Sequence, residues 1–208
     1  MKLLHIDSSP LGAHSVSRSL TRDIAAHWQA THHGTTVDYL DLAVDAPSHL
    51  DMNSLAARVG IPADQMTAQQ KQETAVSEKL LSQFLSADVI VVGAPMFNFS
   101  VPSQLKAWID RIAQAGRTFQ YTPQGPKGLV TGKTVIVAST RGGMYAGIPE
   151  RASLDHQEAY LRTVFGFLGI TDVRFVRAEG VSMGDEVKAK ALAEADAVIK
   201  GLKAAVVA

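Results

Sequence analysis

Three stretches of this 208-residue sequence combine residue types that suit a small, anionic, partly aromatic ligand. The first, Asp7-Ser-Ser-Pro-Leu-Gly-Ala-His-Ser-Val-Ser17, crowds four serines and a glycine ahead of a helical pattern. A helix N-terminus leaves backbone N–H groups unpaired and carries the positive end of the dipole, so it favours a phosphate. Ser9, Ser15 and Ser17 are the candidate hydroxyl donors, and plain N-capping by Ser15 or Ser17 is the competing explanation. The second stretch, Ala94-Pro-Met-Phe-Asn-Phe-Ser-Val-Pro102, places Met96, Phe97 and Phe99 around Asn98. Apolar surface with an amide suits a flat heteroaromatic ring. These side chains could instead close off the core, but they sit between two prolines and outside any helical pattern. The third, Ser139-Thr-Arg-Gly-Gly-Met-Tyr145, pairs two glycines that admit a close backbone approach with the cation of Arg141. Read alone it could be a turn.

Other motifs look chemical and are not supported by their surroundings. Gly180-Val-Ser-Met-Gly184 has the G-x-S-x-G form of a serine-hydrolase elbow, but His156 is the last histidine and none follows Ser182. Gly132-Lys-Thr134 resembles the end of a P-loop, yet the upstream glycine is Gly128, one residue too close, and the motif precedes its strand. The loop after Asp7 lacks the glycine pattern of a dinucleotide fingerprint. The seven histidines show no His-Glu-x-x-His spacing, which argues against a metal site. His5, inside an apolar run, reads as a satisfied core histidine. With no cysteine, the chain has no disulfide, thiolate ligand or dithiol chemistry, so any redox function must use a bound cofactor.

The elements that must position these loops are visible as periodicities. Leu3–Ile6, Val89–Ala94 and Val135–Ala138 are continuous apolar runs, and suit strands covered on both faces. Val37–Leu42 and Val173–Ala178 are interrupted, as edge strands are. Between them lie helical stripes such as Leu20, Ile24, Trp28, then Val76, Leu80, Phe84, then Leu105, Trp108, Ile109, Ile112, and later Leu161, Val164, Phe165, Leu168. Thr67-Ala-Gln-Gln70 reads as a capping box and Gly169 as a helix stop. The pattern predicts one α/β domain over residues 1–208, a doubly wound five-stranded parallel sheet of order 2-1-3-4-5 with helices on both faces. Ligands of such sheets bind at the carboxyl ends of the strands where the order reverses, and the three loops lie there. Residues 43–66 and 116–132 exceed a minimal connection, and the latter reads as a Gly/Pro-rich hairpin.

Twenty basic and twenty acidic residues cancel, which argues against a nucleic-acid partner. The cancellation is uneven. Residues 1–94 carry 6 basic and 10 acidic side chains, whereas residues 95–151 carry 7 and 2. The basic segment suggests either solvated faces, as for Lys106 and Arg111, or a site for an anion. Met1–Ile6 is too short for a signal segment and no run is long enough to span a bilayer, so a cytoplasmic protein away from membranes is expected.

Taken together, Ser8-Ser9 with Ser15-Val-Ser17, Ala94-Pro-Met-Phe-Asn-Phe99, Ser139-Thr-Arg-Gly-Gly143, the hairpin Thr118–Gly128 and Phe165-Gly-Phe-Leu-Gly-Ile-Thr-Asp172 resemble the FMN-dependent NADH-azoreductases, flavodoxin-like quinone and azo-dye reductases. The resemblance covers essentially the whole chain. It implies a homodimer with a tightly bound FMN in each subunit near the interface. By position, Ser9, Ser15, Val16 and Ser17 would hold the FMN phosphate. Met96, Phe97, Asn98 and Phe99 would line the isoalloxazine, and Thr140, Arg141, Gly142 and Gly143 would contact its edge or the ribityl chain. Tyr121, Tyr145 and Phe167 would shape the substrate pocket, Phe167 from the partner subunit. The family pattern has tyrosine where Phe97 stands, which removes a hydroxyl and keeps the flat surface. The implied activity is two-electron ping-pong hydride transfer from NADH or NADPH to quinones and azo compounds, with Arg141 and backbone N–H groups stabilising negative charge on the reduced ring. The competing readings are a non-catalytic flavodoxin-like electron carrier, disfavoured by the basic segment and aromatic loops, and a serine hydrolase using Ser182.

Overall fold

The computed structural model describes residues 1–203. Five strands, β1 (Lys2–Asp7), β2 (Thr36–Asp41), β3 (Val89–Pro95), β6 (Thr134–Thr140) and β7 (Asp172–Ala178), form a parallel sheet of order β2-β1-β3-β6-β7. This is the expected 2-1-3-4-5 order, because β4 (Phe119–Thr122) and β5 (Gly125–Gly128) stand apart as an antiparallel hairpin. Every residue of β3 and β6 is buried, whereas β2 and β7 are largely exposed or half-buried, so the central and edge strands are those the apolar runs marked.

The continuous runs have a physical cause. Successive side chains of a strand face opposite sides, so a strand covered twice must be apolar at every position. Leu3, Val89, Val91, Ile136 and Ala138 pack under helices α1 (Val16–Thr31) and α7 (Asp185–Lys200). Their alternates Leu4, Ile90, Val92, Val135 and Val137 pack under α3 (Ala68–Ser86), α4 (Ser103–Ile112) and α6 (His156–Leu168). Trp28 anchors the first layer and Trp108 the second, both fully buried. Each such side chain contributes about 1.5–3 kcal/mol of burial.

Local signals end the helices as expected. Thr67 and Gln70 form a reciprocal capping box on α3, and Gly169 closes α6 at φ 103°. The hairpin is pinned by close backbone contact. A Cβ on Gly128 would come within 2.2 Å of the Gly169 nitrogen, and the Val130 N–H donates to the Leu168 carbonyl. The long connection over residues 43–66 contains a single helical turn, α2 (Met52–Leu55), opened by an Asp51/Ser54 capping box. Its Arg58 donates to the carbonyls of Asp110, Arg111 and Ala113, satisfying the C-terminal end of α4. A second single turn, α5 (Pro149–Ala152), precedes α6.

The basic segment is reorganised by these contacts, and one expectation changes. Arg111 is fully buried, not solvated, and pairs with Glu73 at 2.5 Å while donating to Ser77 and Ser48. Arg117 meets Glu78, Lys106 meets Asp110, and Lys133 donates to the carbonyls of Leu85 and Ala87 at the end of α3. Lys106, Arg111, Arg117 and Arg141 of the positive segment are therefore matched by carboxylates of the chain itself, two of them on α3 in the acidic N-terminal half.

Candidate active site

The loops after β1, β3 and β6 meet at the carboxyl edge of the sheet. Ser8 and Ser9 are wholly buried, and the Ser8 hydroxyl donates to the Gly93 carbonyl at 2.5 Å, tying the first loop to β3. A short 3-10 turn at Gly12–His14 leads into α1, whose N-cap is Ser15. The Ser15 Oγ accepts the Arg18 N–H at 3.4 Å and lies 3.0 Å from the Ser17 Oγ. Capping by Ser15 is thus real, but it satisfies only one N–H of the first turn. The N–H groups of Val16 and Ser17 have no acceptor among the described residues. Three buried hydroxyls and two unpaired N–H groups at the end of a 16-residue helix form a cradle for a tetrahedral oxyanion.

Behind this cradle lies a polar network that sequence reasoning missed. The Asp7 carboxylate accepts from Thr21 at 2.7 Å and Tyr39 at 2.9 Å, and lies 3.7 Å from Arg18 and 3.6 Å from the His5 ring. Burial acts to raise its pKa, and the His5 ring together with the Thr21 and Tyr39 hydroxyls outweighs burial, leaving it below 3.8. Burial and the hydrogen bond to Asp7 push the Tyr39 phenol up to about 12. His5 is not the satisfied core histidine expected from its apolar neighbours. Its buried Nε2 lacks a hydrogen-bond partner and its ring meets Tyr39 edge-on at 4.9 Å. Gly93 makes room for the network, since a Cβ there would sit 3.1 Å from both Asp7 and Thr21.

The loop after β3 is strained. The Phe97 N–H and carbonyl both bond Ser100, closing a two-residue turn with Asn98 at φ 48° and Phe99 at φ 69°. These are the only non-glycine residues with positive φ among the described residues. Asparagine tolerates that region, whereas phenylalanine does so at a cost of roughly 1–3 kcal/mol. The surroundings hold the turn in place: Met96 N–H donates to the Thr140 carbonyl, and His156, at the start of α6, donates to the Phe99 carbonyl. Phe97 and Phe99 are 37% and 47% exposed, so their rings do not seal the core. Phe97 and Asn98 border a cleft of about 620 Å3 closed by Pro10 from the first loop, Gln104 from α4 and Tyr160 from α6.

The loop after β6 differs most from expectation. Arg141 does not offer its charge to a ligand. Its guanidinium is 1% exposed and lies within 2.9 Å of Asp155, 2.8 Å of Glu158 and 2.6 Å of Glu179. Gln157, also buried, accepts from Arg141 and Ser139 and donates to the Ala94 carbonyl, so it joins the ends of β3 and β6. Glu179 accepts the N–H groups of Tyr145 and Ala146, fixing the rest of the loop. The carbonyls of Arg141, Gly142 and Gly143 bond the N–H groups of Val181, Ser182 and Gly180. Gly142 packs closely on its neighbour, since a Cβ would come within 3.1 Å of the Ser182 Oγ, which would have to shift by a few tenths of an ångström. Ser182 is exposed, and among the described residues no histidine is hydrogen-bonded to its hydroxyl, so the structure gives the hydrolase reading no support.

Tyr145 lines a second cleft with Ala146, Pro149 and Arg162, near the site. Tyr121 and Phe167 are brought together with each other, both packing on Phe119, at 5.5 and 4.5 Å between ring centroids. They are not brought to this chain's own three loops. Phe167 lies at the far end of α6 from His156, about 16 Å along the axis at 1.5 Å per residue. Within one chain, neither Tyr121 nor Phe167 lines the clefts that Phe97 and Tyr145 border.

The comparisons bear on this geometry directly. A family model described as flavodoxin-like fold matches residues 1–202. An FMN-dependent NADH:quinone oxidoreductase of Polaromonas naphthalenivorans is 61% identical over 95% of this chain and 91% of that protein. The enzyme of the same name from Laribacter hongkongensis is 61% identical over 97% of this chain and its own full length. The chain belongs to this family. Among solved structures it superposes on an FMN-dependent NADH-azoreductase from Bacillus anthracis in complex with FMN, with a TM-score of 0.86, 29% identity, and coverage of 96% of this chain and 98% of the other.

Proposed function

We propose that the protein is an FMN-dependent NADH:quinone oxidoreductase that also reduces aromatic azo compounds. The observation that carries the reading is the juxtaposition of an oxyanion cradle, built from Ser9, Ser15, Ser17 and the free N–H groups of α1, with the exposed aromatic turn at Phe97–Phe99. The donor set fits FMN at both ends, a phosphate at the helix and a flat ring at the turn. FMN, when bound, supplies the two-electron hydride chemistry that links NADH oxidation to quinone or azo reduction. The serines and Val16 hold the phosphate. Met96, Phe97, Asn98 and Phe99 would support the ring, and Thr140, Gly142 and Gly143 would offer it their backbone. Arg141 shapes that backbone from behind, and its side chain carries no ligand charge.

The chain acts as one unit over its length, and two copies form a homodimer. The dimer reading is supported by Tyr121, 76% exposed on the hairpin, and by Phe167 beside the same Phe119. These aromatics have no role in their own protomer's cleft and would complete the partner's pocket. No described helix is long and apolar enough to cross a membrane, and a place in the cytoplasm with NADH as donor fits that. Anaerobic mixing of the flavin-loaded protein with NADH tests the activity. Rapid bleaching of flavin absorbance, and reoxidation by a benzoquinone, are expected. Flavin that bleaches only when a separate reductase is added would make the protein an electron carrier instead.

A further inference from the structure

We propose that Arg18 is the positioning residue of the FMN phosphate cradle, acting by the shape of its guanidinium fork and not by its charge; this rests on the cofactor reading above. Arg18 is the third residue of α1, and three loops and strands converge on it. Its Nε and Nη2 both donate to the Ser9 carbonyl, at 3.1 and 3.0 Å. Nη1 and Nη2 form a two-pronged pair with Asp41 at the end of β2, at 2.7 and 2.6 Å. Its backbone N–H donates to the Ser15 Oγ. One residue therefore holds both hydroxyl-bearing ends of the loop, Ser9 and Ser15, and fixes them to the sheet.

The loop needs such a clamp. Ser9 is wholly buried, and Pro10 offers no N–H of its own. The internal ties between Ser9 and Ser15 are the Leu11 N–H to the Ser9 Oγ and the single 3-10 turn. Without Arg18 the Ser9 carbonyl loses both of its donors inside the protein. A planar five-donor fork can serve a carbonyl and a carboxylate at once, whereas an ammonium cannot reproduce that geometry. The cation itself is compensated by Asp41, with Asp7 at 3.7 Å, so little net attraction for a phosphate remains. Arg18 forms no hydrogen bond to residues 96–99 or 140–143, so its action is confined to the phosphate end of the site.

The test compares FMN with riboflavin, which has the same ring and no phosphate, by quenching of flavin fluorescence on the apoprotein. Wild-type protein should bind FMN much more tightly than riboflavin. Arg18→Ala should weaken FMN at least tenfold and leave riboflavin within twofold, and Arg18→Lys should lose most of the same affinity although it keeps the charge. Asp41→Asn separates the two mechanisms. A positioning role predicts weaker FMN binding, because the fork loses its anchor, whereas a purely electrostatic role predicts tighter binding, because a negative charge is removed. Parallel loss of FMN and riboflavin in Arg18→Ala, full affinity in Arg18→Lys, or a gain in Asp41→Asn would overturn the proposal. Equal binding of both flavins by the wild-type protein would instead overturn the cofactor reading itself.

Discussion

The loops after β1 and after β6 each stand on an arginine, half-buried in the first and fully buried in the second, and the two arginines are used differently. Arg18 spans the Ser9 carbonyl and the Asp41 carboxylate, with Asp7 at 3.7 Å, at the root of a loop that leads into the unpaired Val16 and Ser17 N–H groups of α1. Arg141 is enclosed by three carboxylates, in a loop whose carbonyls are taken by residues 180–182. In the first case the cation leaves donors facing the site. In the second it rigidifies a wall. A cation next to a ligand loop is therefore not evidence of ligand charge until its partners are counted. Arg141 was expected to lend its charge to the flavin, and its guanidinium is instead paired with three carboxylates of its own chain.

The contrast can be broken most severely at Arg141. Arg141→Ala leaves the largely buried Glu158 and Glu179 and the partly exposed Asp155 facing one another, with Arg177 and Arg162 as the remaining cations near Glu158. Removing one member of a buried charge cluster typically costs about 3–5 kcal/mol, so urea unfolding of the apoprotein should show a loss of that order. A loss below about 1 kcal/mol would mean that water enters and the cluster is not a keystone. At the first loop the expected effect is smaller. Ser15→Ala removes the N-cap of α1 at a cost of about 1 kcal/mol and should also weaken FMN binding, which separates it from a variant with only a stability defect.

The smallest effect is the pH response of the Arg18 clamp. The hydrogen bond from Arg18 holds the Asp41 carboxyl below its ordinary 3.8 against the opposing effect of burial. A carboxyl with a lowered folded pKa contributes stability that is present above the unfolded value and lost as pH falls through the folded one. Asp41→Asn should therefore flatten the fall in melting temperature below about pH 4 without altering it near neutrality beyond a constant offset. An acid transition that keeps the wild-type slope would show that Asp41 is not held by Arg18 in solution.

How far the sequence was legible depended on the range of the interactions involved. Strands β3 and β6 were readable because burial on both faces demands apolar residues at every position, a strictly local pattern. The Thr67 capping box and the Gly169 stop were readable for the same reason. The three ligand loops were readable because the sheet rule places them. The left-handed backbone at Asn98 had a weak signal in asparagine, while Phe99 had none, since its conformation is imposed by Ser100 and His156. Gln157 and Glu179 carried no signal at all. They matter through contacts with residues 16 to 63 positions away.

The sequence alone determined the layered α/β architecture, the order of its strands, the three loops at the switch point and, through zero cysteine, the need for a bound cofactor in any redox role. Periodicity and turn chemistry are set by near neighbours, and near neighbours are what a sequence displays. Tertiary structure alone decided what each charged side chain does. It buried Arg111 against Glu73, locked Arg141 among carboxylates, set Arg18 behind the serines, and moved Tyr121 and Phe167 away from their own cleft. Electrostatic partners are chosen by distance in space, so neither the count nor the local density of charges along the chain could reveal them.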